Sequence, residues 1–440
     1  MHIEFGLQYA SNIKMQATSK KLETIPPMKS FITILFSAAL LLNLISCGLF
    51  GADKEEAIPD PVRIELTPQA VELIALGNNF GINLFTKTAD GEPGNLMLSP
   101  LSANVALSML LNGTDGETQS QIREMLGYPP GMTFEEINES YRSLVSQLLK
   151  ADKKVQLAIA NAIFYRNQFA FKTPFLETMA RDFDATVEGL DFDNPSAVET
   201  INRWASDNTN KKIPKVMDAI NSEMVMFIMN ALYFKGDWTS QFNKSDTSKQ
   251  PFRLDDGSTV QVDMMKGKVG VIRHYHDDYS VVELPYGRRN FSMVIIVPKG
   301  SLGAFYREFT PDVWTSITAS LDSHDEWFET DVYMPKFRFE YEKVLNDQLK
   351  AMGMTDAFDA RMADLSGISD ADLFVSFVKQ NTFVDVNEEG TEAAAVTTIG
   401  IGVTSARPTA FTVDKPFIFA IRERTTNTLL FMGGVMNPAE

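Results

Sequence analysis

Asn387 to Pro408 reads NEEGTEAAAVTTIGIGVTSARP, and the rest of the chain is organised around this stretch. It opens with two acids and a glycine, Glu388-Glu389-Gly390, and closes on Arg407-Pro408. Between them come Thr391 and Glu392, then Ala393, Ala394 and Ala395, then Val396-Thr397-Thr398-Ile399-Gly400-Ile401-Gly402-Val403. The alanines alone favour a helix. The β-branched residues that follow favour extended backbone, and Gly400 and Gly402 would spoil a helix. Taken at period two, Thr391, Ala393, Ala395, Thr397, Ile399 and Ile401 share one face, and nothing on it is bulky before Ile399. The segment is able to be a strand without being obliged to be one.

An acidic pair, a glycine, a threonine and a run of alanines, upstream of Lys415-Pro416-Phe417, resembles the hinge of the reactive-centre loop of serpins. Four further blocks are similar to the family and stand in its order. They are LMLSPLSANVALSMLLNGTDGETQSQIREMLG at Leu96–Gly127, NALYFKGDW at Asn230–Trp238, MGMTDAFDARMADLSGIS at Met352–Ser369, and FMGGVMNP at Phe431–Pro438. The resemblance runs from about Thr67 to Pro438. It implies an α+β serpin fold: three β-sheets, about eight to nine helices, and an exposed loop over about 388–408, all in one domain spanning 67–440.

The family's mechanism is carried over residue by residue. Glu388, Gly390, Thr391, Ala393, Ala394, Ala395 and Thr397 fall on the hinge. The reactive bond lies about fourteen residues past the hinge glycine, which gives Thr404–Ser405, with Val403 as the alternative position. Ser99, Ser102 and Asn230 match the shutter beneath the opening sheet, and Trp238 matches its top, near where insertion begins. One position departs. The family usually keeps a histidine ten residues before the hinge glycine, and Gln380 stands there, with Asn230 and Ser102 as its expected partners.

A protease that attacks Thr404 would form its ordinary acyl-enzyme. The freed loop would then enter the large sheet as a new strand, an established case of strand addition driven by stored strain. About 14 residues at ~3.3 Å each add on the order of 45 Å of strand. The implied function is suicide-substrate inhibition of serine proteases, extending to cysteine proteases. The small Val403-Thr404-Ser405 suits elastase- or subtilisin-like targets. The alternative is a non-inhibitory serpin-fold carrier or binding lipoprotein.

Ahead of the domain, Met28 to Gly48 reads MKSFITILFSAALLLNLISCG. A lysine, an apolar run and Ser46-Cys47-Gly48 form a signal-peptide layout, and Leu44-Ile45-Ser46-Cys47 resembles a bacterial lipobox. Residues 1–47 are therefore expected to be a leader with its start at Met28, and Cys47, the only cysteine, is expected to carry lipid. Residues 48–66 then read as a polar tether. The expected setting is the outer membrane of a bacterium, on its periplasmic or surface side, with the domain a monomer.

Composition closes off other classes. The 440 residues carry 40 Lys+Arg against 57 Asp+Glu, a net charge of −17, which argues against nucleic acid and against anionic lipid as partners. Of four histidines only His274, His276 and His324 follow Cys47, and no nucleophile elbow, zinc helix, phosphate loop or dinucleotide motif is present. No enzyme activity, metal or cofactor is expected.

Periodicity and caps predict helices from Thr67, through Leu111, over Glu117–Leu126, Thr173–Phe183, Ala197–Thr209 and Val344–Met352. Expected strands include Leu157–Tyr165, Val187–Phe192, Val260–Val262, Val269–Tyr275 and the two apolar runs Phe417–Ile421 and Leu429–Val435. Met224–Phe234 reads as a strand buried on both faces, and Asp331–Tyr341 as one extended segment.

Overall fold

A computed structural model describes residues 60–324, 326–392 and 410–440. The expected lipidation residue Cys47, the loop residues Ala393, Ala394, Ala395, Thr397, Val403, Thr404 and Ser405, and the expected leader lie outside the described residues.

Helix α1 (Pro68–Ala89) starts where Thr67 accepts a hydrogen bond from the Ala70 N–H and proline takes the first turn, needing no donor there. After β1 (Leu96–Leu98), Ser99 caps α2 (Pro100–Leu111) in the same way, and eleven of its twelve residues are buried. A helix apolar all round belongs inside, and α2 runs beneath the sheets. Helix α3 (Gly116–Leu126) stops at Gly127 in the left-handed conformation, φ 76°. The chain continues with α4 (Phe134–Ala151), β2 (Val155–Arg166), α5 (Thr173–Asp182), β3 (Ala185–Leu190), α6 (Ser196–Asn208) and β4 (Met226–Asp237).

Next come β5 (Ser248–Arg253), β6 (Thr259–Tyr275), β7 (Tyr279–Pro285), β8 (Phe291–Pro298), α7 (Leu302–Phe305) and α8 (Pro311–Asp322). They are followed by β9 (Phe328–Pro335), β10 (Phe337–Val344), α9 (Asn346–Ala351), β11 (Lys379–Val386) and the two-residue β12 (Gly390–Thr391). Beyond the loop lie β13 (Phe411–Thr412), β14 (Phe417–Glu423) and β15 (Thr428–Val435).

One set of strands runs β1-β15-β14-β8-β7-β6-β9-β13, with β5 on β6. It is two sheets joined by one long strand. The first part of β6, Met264–Val271, pairs with β9, and the last part, Ile272–Tyr275, pairs with β7. The third sheet is β10-β11-β12-β4-β2-β3. Three sheets and nine α-helices among the described residues match the expected α+β architecture. The main core fills the space between the sheets and around α1 and α2, and a smaller apolar cluster sits where Ile201 of α6 meets Phe164 and Phe227.

Four sequence expectations change. Val260–Val262 and Val269–Tyr275 are one strand, because Met264 and Met265 between them are buried in the ladder to β9. Asp331–Tyr341 breaks at Lys336 into β9 and β10, which join different sheets. Helices α4 and α8 were not anticipated. The Thr133 and Glu136 capping box marks the first, and Thr310-Pro311 the second. Finally, Ala231–Phe234 of β4 is buried, but Met226 and Ile228–Asn230 are only half-buried.

Candidate functional site

The half-buried end of β4 has a cause in the sheet. On one edge β4 pairs with β2 from Met226↔Tyr165 to Gly236↔Val155. On its other edge, among the described residues, it meets only β12, at Gly390↔Asp237 and Thr391↔Gly236. Strand β11 is likewise laddered along its whole length to β10 but touches β12 only at Val386↔Thr391. Below β12, therefore, β4 and β11 face each other across a cleft of about 450 Å³. Its floor is α2, with Ser99, Ser102 and Ala106, and Phe377, Asn230 and Thr382 stand along its sides. Below β12, the main-chain groups on these two edges have no strand partner among the described residues.

The four expected shutter residues line this cleft, but their bonding differs from the expectation. Gln380 does not bridge Asn230 and Ser102. Its Nε2 donates to the Ser99 carbonyl (2.9 Å) and its Oε1 accepts from the Ser99 N–H (3.1 Å). A planar primary amide offers one donor and one acceptor side by side and so grips one residue's main chain. The Ser99 hydroxyl donates to the Leu430 carbonyl (2.8 Å), so α2, β11 and β15 meet at one serine. Asn230 turns the other way: its Nδ2 donates to Asn161 Oδ1 (2.7 Å), and its own Oδ1 is buried without a partner.

At the top of the cleft, Trp238 is 3% exposed. Its Nε1 donates to the Asn387 carbonyl (2.9 Å) and its N–H to the Glu389 carbonyl (2.8 Å), and its ring stacks on Tyr286 at 4.5 Å. Tyr286 in turn shares a 2.6 Å hydrogen bond with the Thr391 hydroxyl, and burial pushes its own phenol well above the usual range. Gly390 (φ 154°) is required for a steric reason. A Cβ there would stand 2.1 Å from the Gly236 carbonyl oxygen and 2.7 Å from the Asp237 Cα. Only glycine allows the chain to come so close to β4.

Three buried acids hold this turn, each on a different lysine. Glu388 pairs with Lys336 at 3.0 Å and accepts from the Thr247 hydroxyl at 2.7 Å. Glu389 pairs with Lys244. Glu392, at φ 59°, pairs with Lys212 at 3.0 Å and accepts from the Tyr233 phenol at 2.6 Å. For Glu388, burial works against the charge, but Thr247, its own backbone N–H and Lys336 outweigh it, and the carboxyl titrates below its usual range. Tyr233, Tyr286, Lys212 and Lys244 had no signal in the sequence, because their partners lie 105 or more positions away.

The histidines form no such site. His274 bonds the Ser320 hydroxyl at 2.7 Å, His276 stacks on Tyr279, and no group of three metal-ligating residues exists among the described residues. No helix among the described residues is long and apolar enough to cross a membrane.

A profile of the family described as Serpin (serine protease inhibitor) matches residues 75–438. The chain is 33% identical over 407 residues to Iripin-1 of Ixodes ricinus, covering 90% of this chain and 98% of that one. It is 32% identical over 384 residues to the leukocyte elastase inhibitor of Homo sapiens, covering 83% and 100%. Among solved structures, the native state of the thermophilic serpin tengpin superposes with a TM-score of 0.75 at 29% identity, covering 86% of this chain and all of the other. Human thyroxine-binding globulin superposes with a TM-score of 0.76 at 27% identity, covering 84% and 100%.

Proposed function

The chain belongs to the serpin family, and we propose that it is a suicide-substrate inhibitor of serine proteases that traps its target by inserting its cleaved loop between β4 and β11. The observation that carries this reading is the cleft: two strand edges left unpaired below β12 among the described residues, with Gly390 and Thr391 already seated at its top as β12.

The observed register says where the rest of the loop would go. Gly390 faces Asp237 and Thr391 faces Gly236, so each residue added to the strand moves one position back along β4. Six steps on, Thr397 arrives opposite Asn230, and by the same step from Val386↔Thr391 it arrives opposite Gln380. Residues directly opposite share a face, and Thr391 is 4% exposed with its hydroxyl on Tyr286. Ala393, Ala395 and Thr397 would therefore turn inward toward α2, where small side chains fit. Thr397 would bring a hydroxyl to the unpartnered Asn230 Oδ1. Ile401 reaches Met226, the end of β4, three residues short of Thr404.

Thr404–Ser405 is the proposed reactive bond, and its small flanking side chains favour elastase- or subtilisin-like targets. Incubation with a neutrophil-type elastase, subtilisin, trypsin and papain should give a band at the summed mass on a denaturing gel, with a new amino terminus at Ser405. Loop cleavage with no such band in any mixture would refute inhibition. It would favour a serpin-fold carrier, the reading that the likeness to thyroxine-binding globulin keeps in view.

We further propose that Cys47 is acylated and tethers the monomeric domain to a bacterial outer membrane. Labelled palmitate should enter the chain and be lost in Cys47→Ala. Incorporation equal in both would overturn the anchor.

A further inference from the structure

The segment expected to end the polar tether is stitched to the body. Ile64 is 7% exposed and belongs to the main core, while the Val62 side chain is 52% exposed. What holds Val62 is its main chain: its N–H donates to Asn290 Oδ1 (2.9 Å), and its carbonyl accepts from Asn290 Nδ2 (2.7 Å). Three residues on, Gln147 repeats the pattern on Glu65, accepting from its N–H (2.9 Å) and donating to its carbonyl (2.7 Å). Between them the Ile64 N–H donates to the Thr425 hydroxyl (3.4 Å). Two side-chain amides and a hydroxyl thus do for residues 62–65 what a neighbouring strand would do.

Asn290 is fully buried, and it also closes the turn between β7 and β8. Its carbonyl accepts from the Arg424 N–H (2.8 Å) and its Nδ2 reaches Glu423 Oε1 (3.2 Å). At the other end of that turn, the Tyr286 N–H donates to the Phe291 carbonyl (2.8 Å), and the Gly287 N–H donates to the Asp237 carbonyl (2.9 Å). Tyr286 is the residue whose phenol meets Thr391 and whose ring carries Trp238. Five consecutive residues, 286–290, therefore touch β12 at one end and Val62 at the other.

We propose that Asn290, Thr425 and Gln147 form a binding site for an extended peptide backbone, that Val62–Glu65 is its resident occupant, and that occupancy is transmitted to β12 through the 286–290 turn. The site reads main chain at Val62 and Glu65 and takes one side chain, Ile64, into the core. A filled site holds the turn and keeps Tyr286 against Thr391. An emptied one frees the turn to shift and loosens the seated residues.

The test uses the full chain and no protease, so absence of a covalent complex would leave it standing. Val62→Pro removes the N–H that Asn290 accepts, without touching the buried amide itself, and Val62→Thr keeps it as the control. Hydrogen exchange is followed at the Trp238 and Glu392 amides, which donate to the Glu389 and Asp385 carbonyls. Val62→Pro should speed exchange at both about fivefold, the factor set by losing a hydrogen bond of ordinary strength, and Val62→Thr should match the parent. Faster exchange at Ile64 and Glu65 alone, with Trp238 and Glu392 unmoved, would overturn the coupling. No change at Ile64 and Glu65 either would overturn the site.

Discussion

The two edges of β4 are made from the same residues and end differently. Toward β2, eleven consecutive register pairs run from Met226 to Gly236. Toward β11, two pairs with β12 stand where a full ladder would fit. Propensity cannot produce this difference, since each residue of the strand serves both edges. It is set by what the chain supplies as a neighbour. One neighbour, β2, is fixed by the fold, and the other is a loop anchored at both ends. On the proposed mechanism, the β2 edge carries ordinary stability, while the β11 edge holds it in reserve.

The largest way to test that contrast is to release the loop. If the reserve is real, cutting after Thr404 lets roughly ten ladder bonds form at about 1 kcal/mol each, on the order of 10 kcal/mol. The cleaved domain should resist denaturant far beyond the intact one. Equal unfolding midpoints would mean that the cleft does not accept the loop.

Thr391→Arg comes next. It puts a cation at a position 4% exposed, where an unpaired buried charge costs several kcal/mol. Loop cleavage should persist while covalent complex falls at least tenfold on a denaturing gel. A parent-like yield would sink the idea that this face must turn inward.

Gly390→Ala sharpens the comparison at the point where the edge is capped. The new methyl collides with the main chain of Gly236, and overpacking of that kind costs about 1–3 kcal/mol. Urea unfolding of the intact form should shift by that amount, and an unshifted midpoint would show that β12 is not seated tightly.

The smallest effect is with acid. Because the Glu388 carboxyl titrates below its ordinary range when seated, its contribution is complete above that range and is lost as pH falls through the lowered value. Tryptophan emission should hold steady from neutrality down to about pH 5 and change only in stronger acid. Glu388→Gln should abolish that change, and a transition near neutrality would contradict the assignment.

Local chemistry was legible where it was short-range. The expected helix start at Thr67 and helix end at Leu126 are ones that the structure keeps. The cleft was legible only through the resemblance, since nothing in MVMFIMNALYF says that one edge goes unpaired. Gln380 shows the limit most clearly. Its position was flagged, but its partner, the main chain of Ser99, lies 281 residues away and carries no side-chain signature. The Asn290 clamp on Val62 spans 228 residues and was invisible for the same reason.

The order of strands in the sheet β1-β15-β14-β8-β7 bears on how the protein is made. Strands β14 and β15, Phe417–Glu423 and Thr428–Val435, follow every other strand of that sheet in the sequence yet are interior to it, flanked by β8 on one side and β1 on the other. Until Met432–Gly434 are synthesised, Leu96–Leu98 has no strand partner and α2 lies on an incomplete layer. Such distant pairings are slow to close and leave apolar edges exposed meanwhile. That sheet is thus complete only once residues 417–435 are in place. A nascent chain stopped short of residue 435 is one that a quality-control protease should recognise.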